Sequence, residues 1–156
     1  MVERSDPGRA GVVAGRLVGI ITGAIAAASL IRDQSVFYGS LGGMLELVGV
    51  GGLPVSVLFW ANVGFAVLAR YGVTYVVGSL VGVLYDWLGR PPWPAVAVIV
   101  LWIGLFDAGL AVLDTFSLVT AGGYVLAWLC FVPAFAWFVD DDADTQAGPR
   151  RLGEEE

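Results

Sequence analysis

The stretch from Gly11 to Ile31, GVVAGRLVGIITGAIAAASLI, constrains the fold more than any other part of the chain. It holds one charge, Arg16, in twenty-one residues, and about 20 apolar residues suffice for a helix to cross a bilayer. Small residues recur in it at every fourth position, at Gly11, Gly15, Gly19, Gly23 and Ala27. Because residues four apart share one side of a helix, this glycine face lets another helix backbone approach closely. We therefore predict a membrane-spanning helix that packs through its glycine face.

The rest of the chain belongs to the same class. Hydrophobic residues make up 58% of the 156 residues and charged residues 14%, whereas a soluble domain has roughly 25% charged residues. Several further apolar runs reach bilayer length, and they are continuous, whereas the strands of a membrane β-barrel alternate in polarity. The sequence predicts an all-α, polytopic transmembrane bundle over residues 11–139, without room for a second domain.

The second apolar region, Pro54 to Trp87, is too long for a simple span. As one helix its thirty-four residues would measure about 51 Å, which exceeds a bilayer with its headgroups. It is therefore either one long helix or two short spans that turn at residues 70–72. Gly78 and Gly82 repeat the four-residue spacing, so we expect them to face the glycine face of the first helix.

Two more spans are predicted, Pro94 to Leu113 and Leu118 to Phe138, after a break at residues 89–92 that contains adjacent prolines. Between the first two apolar regions, Ser35 to Val48 has an amphipathic pattern that predicts a helix lying in the membrane interface. A short additional span is the alternative there. Residues 1–10 are predicted to be a polar tail, and residues 140–156, with seven acidic residues, a disordered acidic tail.

The distribution of arginine favours an even number of spans. With four or six spans, most arginines lie on the cytoplasmic side, as the positive-inside rule requires, whereas five spans divide them equally. Four spans are favoured and six are possible, and both put the two termini in the cytoplasm or, in a virus particle, in the lumen. The arginines on that side are Arg4, Arg9, Arg16, Arg90, Arg150 and Arg151.

The sequence contains no pattern typical of an enzyme. There is no His, the single cysteine is Cys130, and the membrane region has no cluster of residues at metal-ligand spacing. We predict no catalytic residues, no metal, no cofactor and no nucleic-acid-binding motif. The residue that most needs an explanation is Asp107, which lies well inside its predicted span. Inserting a carboxylate at that depth of a membrane costs about 3 kcal/mol or more.

Arg70 is the predicted partner of Asp107, since it is the only other charge in the middle of an apolar run. The pair could belong to an ion or proton pathway. Alternatively, it could join two helices structurally, or the aspartate could stay protonated. A single arginine and a single aspartate without further polar lining favour the structural interpretation.

The charged residues of the chain are unusual in type and balance. All eight basic residues are arginine and fourteen residues are acidic, a balance typical of salt-loving archaea, where molar salt screens self-repulsion. An acidic tail on a bacterial protein from a GC-rich genome is the alternative. In size, span layout and composition, though in no motif, the chain resembles the small multi-pass envelope proteins of haloarchaeal pleomorphic viruses. The resemblance implies a non-catalytic protein in a lipid bilayer beside a spike protein, associating with itself or with that partner. A cellular haloarchaeal membrane protein, a small transporter or channel using Asp107 and Arg70, and an accessory subunit are the alternatives.

Overall fold

We describe a computed structural model of residues 6–40 and 54–146, with side chains up to residue 139. We label five helices: α1 (Pro7–Arg32), α2 (Val55–Trp87), α3 (Trp93–Thr115), α4 (Leu118–Leu129) and α5 (Phe131–Gln146). Residues 34–40 are helical as well, and no strand occurs in the described ranges. The predicted interfacial helix from Ser35 to Val48 therefore lies only partly within the described residues.

Four helical stretches are long and apolar enough to cross a membrane: α1, α2, α3 and the combined stretch Leu118–Val139. The predicted all-α bundle is confirmed. The second apolar region is one continuous helix of 33 residues, so the alternative with a turn at residues 70–72 is wrong. Large apolar side chains such as Phe65, Leu68 and Trp102 are about 70% exposed, as expected for surfaces in contact with lipid.

Helix α1 begins earlier than the sequence pattern indicated. The Asp6 carboxylate accepts hydrogen bonds from the backbone N–H groups of Gly8 (3.0 Å) and Arg9 (3.4 Å), and Pro7 occupies the first turn. Both features stabilise a helix start. Four residues of the predicted polar tail, 7–10, are therefore helical, and the helix ends at Arg32 as predicted.

The last predicted span is divided into two helices. A break at Cys130 separates α4 from α5, three residues before Pro133. Proline has no N–H to donate, and its ring crowds the carbonyl four residues earlier, that of Leu129. Helix α5 then continues to Gln146, so the backbone of residues 140–146, assigned from sequence to the disordered tail, is helical.

The closest helix packing in the bundle joins α1 and α2, which run antiparallel. A Cβ atom placed on Gly78 would lie 2.5 Å from the Gly11 carbonyl oxygen and 2.7 Å from the Gly15 Cα. Farther along, a Cβ added to Gly19 would lie 3.1 Å from Tyr71 Cα, and one added to Gly23 would lie 3.3 Å from Val67 Cγ1. Side chains at these glycines would therefore collide with the opposite helix.

The remaining predicted packing residues follow the same interface. Gly82 lies against the backbone of Pro7 and Gly8, and Ala27 is half-buried near the other end of α1. The predicted glycines of α2 thus face the first half of α1, from Pro7 to Gly15, and farther along Gly19 and Gly23 face non-glycine residues of α2. This contact brings the start of α1 beside the end of α2.

An aromatic cluster fills the end of the bundle that holds Pro7 and Trp87. The Phe131 and Phe135 rings stack at 5.5 Å, and Tyr85 and Trp93 stack at 5.6 Å, with Phe135 edge-on to Tyr85 at 5.3 Å. Trp128 adjoins Phe131 at 6.1 Å. We call these five residues the aromatic cluster; they join α2, α3, α4 and α5.

Replacing Gly78 with alanine should destabilise the bundle, whereas Gly72→Ala should not. A Cβ at Gly78 meets backbone of α1, but one at Gly72 on the same helix meets nothing within 4 Å. Alanine is the better helix former by about 1 kcal/mol, so Gly72→Ala should be neutral or stabilising. Thermal unfolding in detergent measures both; equal melting temperatures would show that close backbone contact does not hold α1 to α2.

Candidate functional site

The structure brings Arg70 and Asp107 together in the middle of the bundle. Arg70 lies near the centre of α2 and Asp107 near the centre of α3, and the Arg70 Nη1 atom donates a hydrogen bond to Asp107 Oδ1. Their side chains are 22% and 14% exposed. The pair therefore links two spans at the depth where an isolated charge would be least stable.

Trp128 completes the hydrogen bonding of the carboxylate. Its indole Nε1 donates to Asp107 Oδ2 at 3.0 Å, so each carboxylate oxygen has a donor from a different helix. Trp128 is only 2% exposed and fits against Gly104, where an added Cβ would lie 2.9 Å from the Trp128 Cβ. Gly104, one turn before Asp107, makes room for the indole.

Arg70 has a second partner on α4. Its guanidinium carbon lies 4.6 Å from the centre of the Tyr124 ring, a cation–π geometry that is stronger away from water. The main chain of Arg70 also accepts a hydrogen bond from Thr74 Oγ1 at 2.9 Å. Arg70, Asp107, Tyr124 and Trp128 thus form one connected group, the central polar group, that spans α2, α3 and α4.

Sequence reasoning identified Arg70 and Asp107 but missed Tyr124 and Trp128. Both are amphipathic aromatic residues in the middle of an apolar run, where their polar atoms need partners. Gly104 and Asp107 are three residues apart and therefore lie on the same side of a helix. Because glycine has no side chain, it leaves space next to the carboxylate. These two signals together could have pointed to a tryptophan or tyrosine donor.

A cavity of about 280 Å³ with a mixed polar and apolar lining opens beside the central polar group, and we call it the polar cavity because Arg70 and Asp114 line it. It lies between α1, α2, α3 and α4, on the side of the ion pair that faces the end of α1 at Arg32. Asp114 is seven residues after Asp107 on α3, about 10 Å along the helix, and marks the mouth. The lining residues are Ala26, Ser29, Leu30, Ala66, Arg70, Ala111, Asp114, Thr115 and Tyr124.

The opposite side of the ion pair is closed. Trp128, Phe131 and Phe135 of the aromatic cluster are each at most 2% exposed and lie between the central polar group and the Pro7 end. The buried polar residues of the described chain are Thr22, Ser29, Thr74 and Thr120, and none of them lies in the aromatic cluster. Within the described residues, the polar cavity reaches Arg70 from the Arg32 end of the bundle, and buried aromatic rings lie on the other side.

Five other charged residues of the described ranges make contacts at the surface. Arg16 lies over the ring of Tyr75 at 5.5 Å, Arg90 pairs with Asp86 at 3.6 Å, and the Arg32 side chain pairs with Asp33 at 3.1 Å. The hydrogen bond from Arg32 holds the pKa of the Asp33 carboxyl below its ordinary value. In the described ranges, no three His, Cys, Asp or Glu residues form a group that could hold a metal ion.

No family model, curated protein or solved structure matches this chain. The geometry itself provides three features: a fully paired carboxylate in mid-bundle, a polar cavity on one side of it, and an aromatic cluster on the other. The central polar group joins three helices, and two of its members, Arg70 and Tyr124, line the cavity.

Trp128→Phe should destabilise the protein because it keeps the aromatic bulk but removes the donor to Asp107 Oδ2. A hydrogen bond to a charged group contributes about 1.5–3 kcal/mol, so a loss of that order is expected. Trp102→Phe is the matched control, since Trp102 on α3 is 69% exposed. Chemical or thermal unfolding in detergent distinguishes them; similar stability of both variants would mean that the indole does not stabilise the carboxylate.

Proposed function

We propose that this chain is a non-enzymatic structural membrane protein, in the envelope of a haloarchaeal virus or in a haloarchaeal cell membrane. The observation that carries the proposal is the complete internal pairing of Asp107, by Arg70 on α2 and Trp128 on α4. Both partners come from the bundle itself. Breaking such a buried pair is costly, so its role is to fix the three helices relative to one another.

The closed side of the bundle supports the structural role over conduction. An ion or proton pathway needs polar groups or water on both sides of a mid-membrane charge. Here the polar cavity ends at the ion pair, and the aromatic cluster occupies the route to the Pro7 end. The chain in this conformation therefore holds a charge pair without connecting the two faces of a bilayer.

Two short connections in the described part of the chain also fit a protein that works within lipid. Residues 88–92 join α2 to α3, and residues 116–117 join α3 to α4. Neither connection is long enough to build a folded binding surface outside the membrane. We propose that recognition belongs to a partner such as a spike protein, while this chain contacts lipid and associates with itself or with that partner.

The orientation is proposed from arginine. Ala10 of α1, Tyr85 of α2 and Val139 of α5 share one buried cluster, so the start of α1 and the end of the last span lie at the same end of the bundle. Arg90 lies at that end as well, between α2 and α3. The positive-inside rule then favours the cytoplasm or the virion lumen for this end.

A small transporter or channel is the second candidate, and the polar cavity is the observation that favours it. The cavity gives one face of the bundle access to Arg70 at mid-depth. Transport would require a second conformation in which the aromatic cluster opens.

Flux measurements in proteoliposomes separate these two functions. We expect no proton or ion flux from the wild-type protein, because the aromatic cluster closes the route, and none from Asp107→Asn. The variant should also unfold at a lower temperature, since an amide pairs more weakly with Arg70 than a carboxylate does. A wild-type flux that Asp107→Asn abolishes would instead establish the transporter.

The envelope role predicts where the protein is found. Intact particles or cells should protect the chain after Phe138 from external protease, and detergent should expose it, because that end is proposed to lie inside. The protein should co-purify with lipid vesicles in near-stoichiometric amount to a larger spike protein. Its recovery at trace level within a respiratory or transport complex would contradict the envelope role and favour an accessory subunit.

A further inference from the structure

We infer that the polar cavity binds a small zwitterion carrying an ammonium group and a carboxylate, with the ammonium at the mouth and the carboxylate against Arg70. This ligand site goes beyond the structural role and does not depend on it. It rests on the arrangement of donors and acceptors around the cavity, on the charge of its walls and on its size.

The mouth of the cavity presents hydrogen-bond acceptors. The Ser29 hydroxyl donates its hydrogen to the Ala26 carbonyl oxygen at 2.8 Å, and the Thr115 hydroxyl donates to the Ala111 carbonyl oxygen at 2.7 Å. A hydroxyl has one hydrogen and two lone pairs, so toward a ligand these two oxygens can only accept. The Asp114 carboxylate is also an acceptor. A group that offers several donors and no acceptor, such as an ammonium, satisfies all three.

The inner end of the cavity presents a donor. A guanidinium has five N–H groups, and the bond to Asp107 is the one side-chain hydrogen bond that Arg70 makes within the described ranges. The side chain is 22% exposed and lines the cavity. Its remaining N–H groups are therefore available to a carboxylate, which a guanidinium binds through two parallel hydrogen bonds.

The charges of the walls favour a ligand with both signs. Arg70 and Asp114 are the charged residues that line the cavity, one of each sign. A simple anion would meet the Asp114 carboxylate at the mouth, and a simple cation would meet the Arg70 guanidinium inside. Asp107, which pairs with Arg70, is not among the lining residues. A zwitterion oriented with its carboxylate inward therefore meets a group of opposite charge at each end of the cavity.

The size and the apolar walls limit the ligand to a small molecule. A volume of about 280 Å³ corresponds to on the order of nine water molecules at about 30 Å³ each. Ala26, Leu30 and Ala66 supply apolar wall for a short carbon skeleton. An α-amino acid of a few carbon atoms meets these limits.

Glycine, methylamine and acetate test the proposal, because the last two each carry one half of the glycine zwitterion. The full-length protein is placed in nanodiscs of phosphatidylglycerol, which has no ammonium group, and binding is measured by calorimetry. We expect glycine to bind at least about tenfold more tightly than either half, since each charged hydrogen-bonding group contributes about that factor. Methylamine or acetate binding as tightly as glycine, or an absence of glycine binding, would overturn the proposal.

Matched variants locate the site. Ala66→Leu fills the cavity and should abolish glycine binding, whereas Ala69→Leu on the exposed side of the same helix should not. Asp114→Asn should raise the Kd by about tenfold or more, and Asp86→Asn, at the opposite end of the bundle, should leave it unchanged. Both aspartates are exposed, so neither change should prevent folding. Equal glycine affinity of the two asparagine variants would overturn the assignment.

The same measurement identifies the source of the ligand. An aminophospholipid carries an ammonium and an anionic phosphate, but its ammonium is at the far end of the headgroup. The ammonium would have to enter the cavity first and would then face Arg70, a group of the same charge. We therefore expect the Kd for glycine to be the same in nanodiscs that contain phosphatidylethanolamine. A substantially weaker affinity there would mean that a lipid headgroup occupies the cavity, and would overturn a free zwitterion as the ligand.

Discussion

The bundle depends on the close contact between α1 and α2. In lipid, two apolar helix surfaces gain nothing from leaving water, so helices associate through close packing of backbones and small side chains. Glycine on both helices permits this, and Gly78 reaches the backbone of α1 between Gly11 and Gly15. The resulting antiparallel pair forms one wall of the structure, and α3, α4 and α5 complete it.

Helices α3 and α4 are held to α2 by a different interaction. Asp107 would be unstable among lipid tails, and it is accommodated only because α2 supplies Arg70 and α4 supplies Trp128. An unpaired buried polar group is costly, so the hydrogen bonds that Asp107 requires fix α2, α3 and α4 relative to one another. The glycine contact determines how close two helices come, and the central polar group determines how the others are placed beside them.

Much of this architecture could be predicted from sequence because it follows from composition and spacing. Length and polarity define the helices, four-residue spacing defines the glycine face, and a lone arginine and aspartate in apolar runs suggest a pair. The roles of Trp128 and Tyr124 were not predicted. Gly104 near Asp107 indicates space for an aromatic donor, but composition and spacing do not identify which tryptophan or tyrosine occupies it. The break at Cys130 was not predicted because Leu118 to Phe138 is one continuous apolar run of bilayer length, and hydropathy takes no account of the effect of Pro133 on the preceding turn. The polar cavity forms where small residues of four helices face the interior. A hydropathy profile does not show which side of a helix faces the interior, so the cavity could not be predicted from it.

The ion pair of Arg70 and Asp107 has the polar cavity on one side and the aromatic cluster on the other, and Trp128 belongs to both the ion pair's hydrogen bonding and the cluster. Trp128 donates to Asp107 through its indole N–H, and through its ring it packs against Phe131 in the aromatic cluster. To open a route toward the Pro7 end, the indole would have to leave the space between Asp107 and Phe131. The carboxylate would then lose one of its two donors at the depth where an unpaired charge is least tolerated. The contact that stabilises the buried charge is thus also the contact that closes the bundle, which is why the cavity can admit a ligand on one side without becoming a channel.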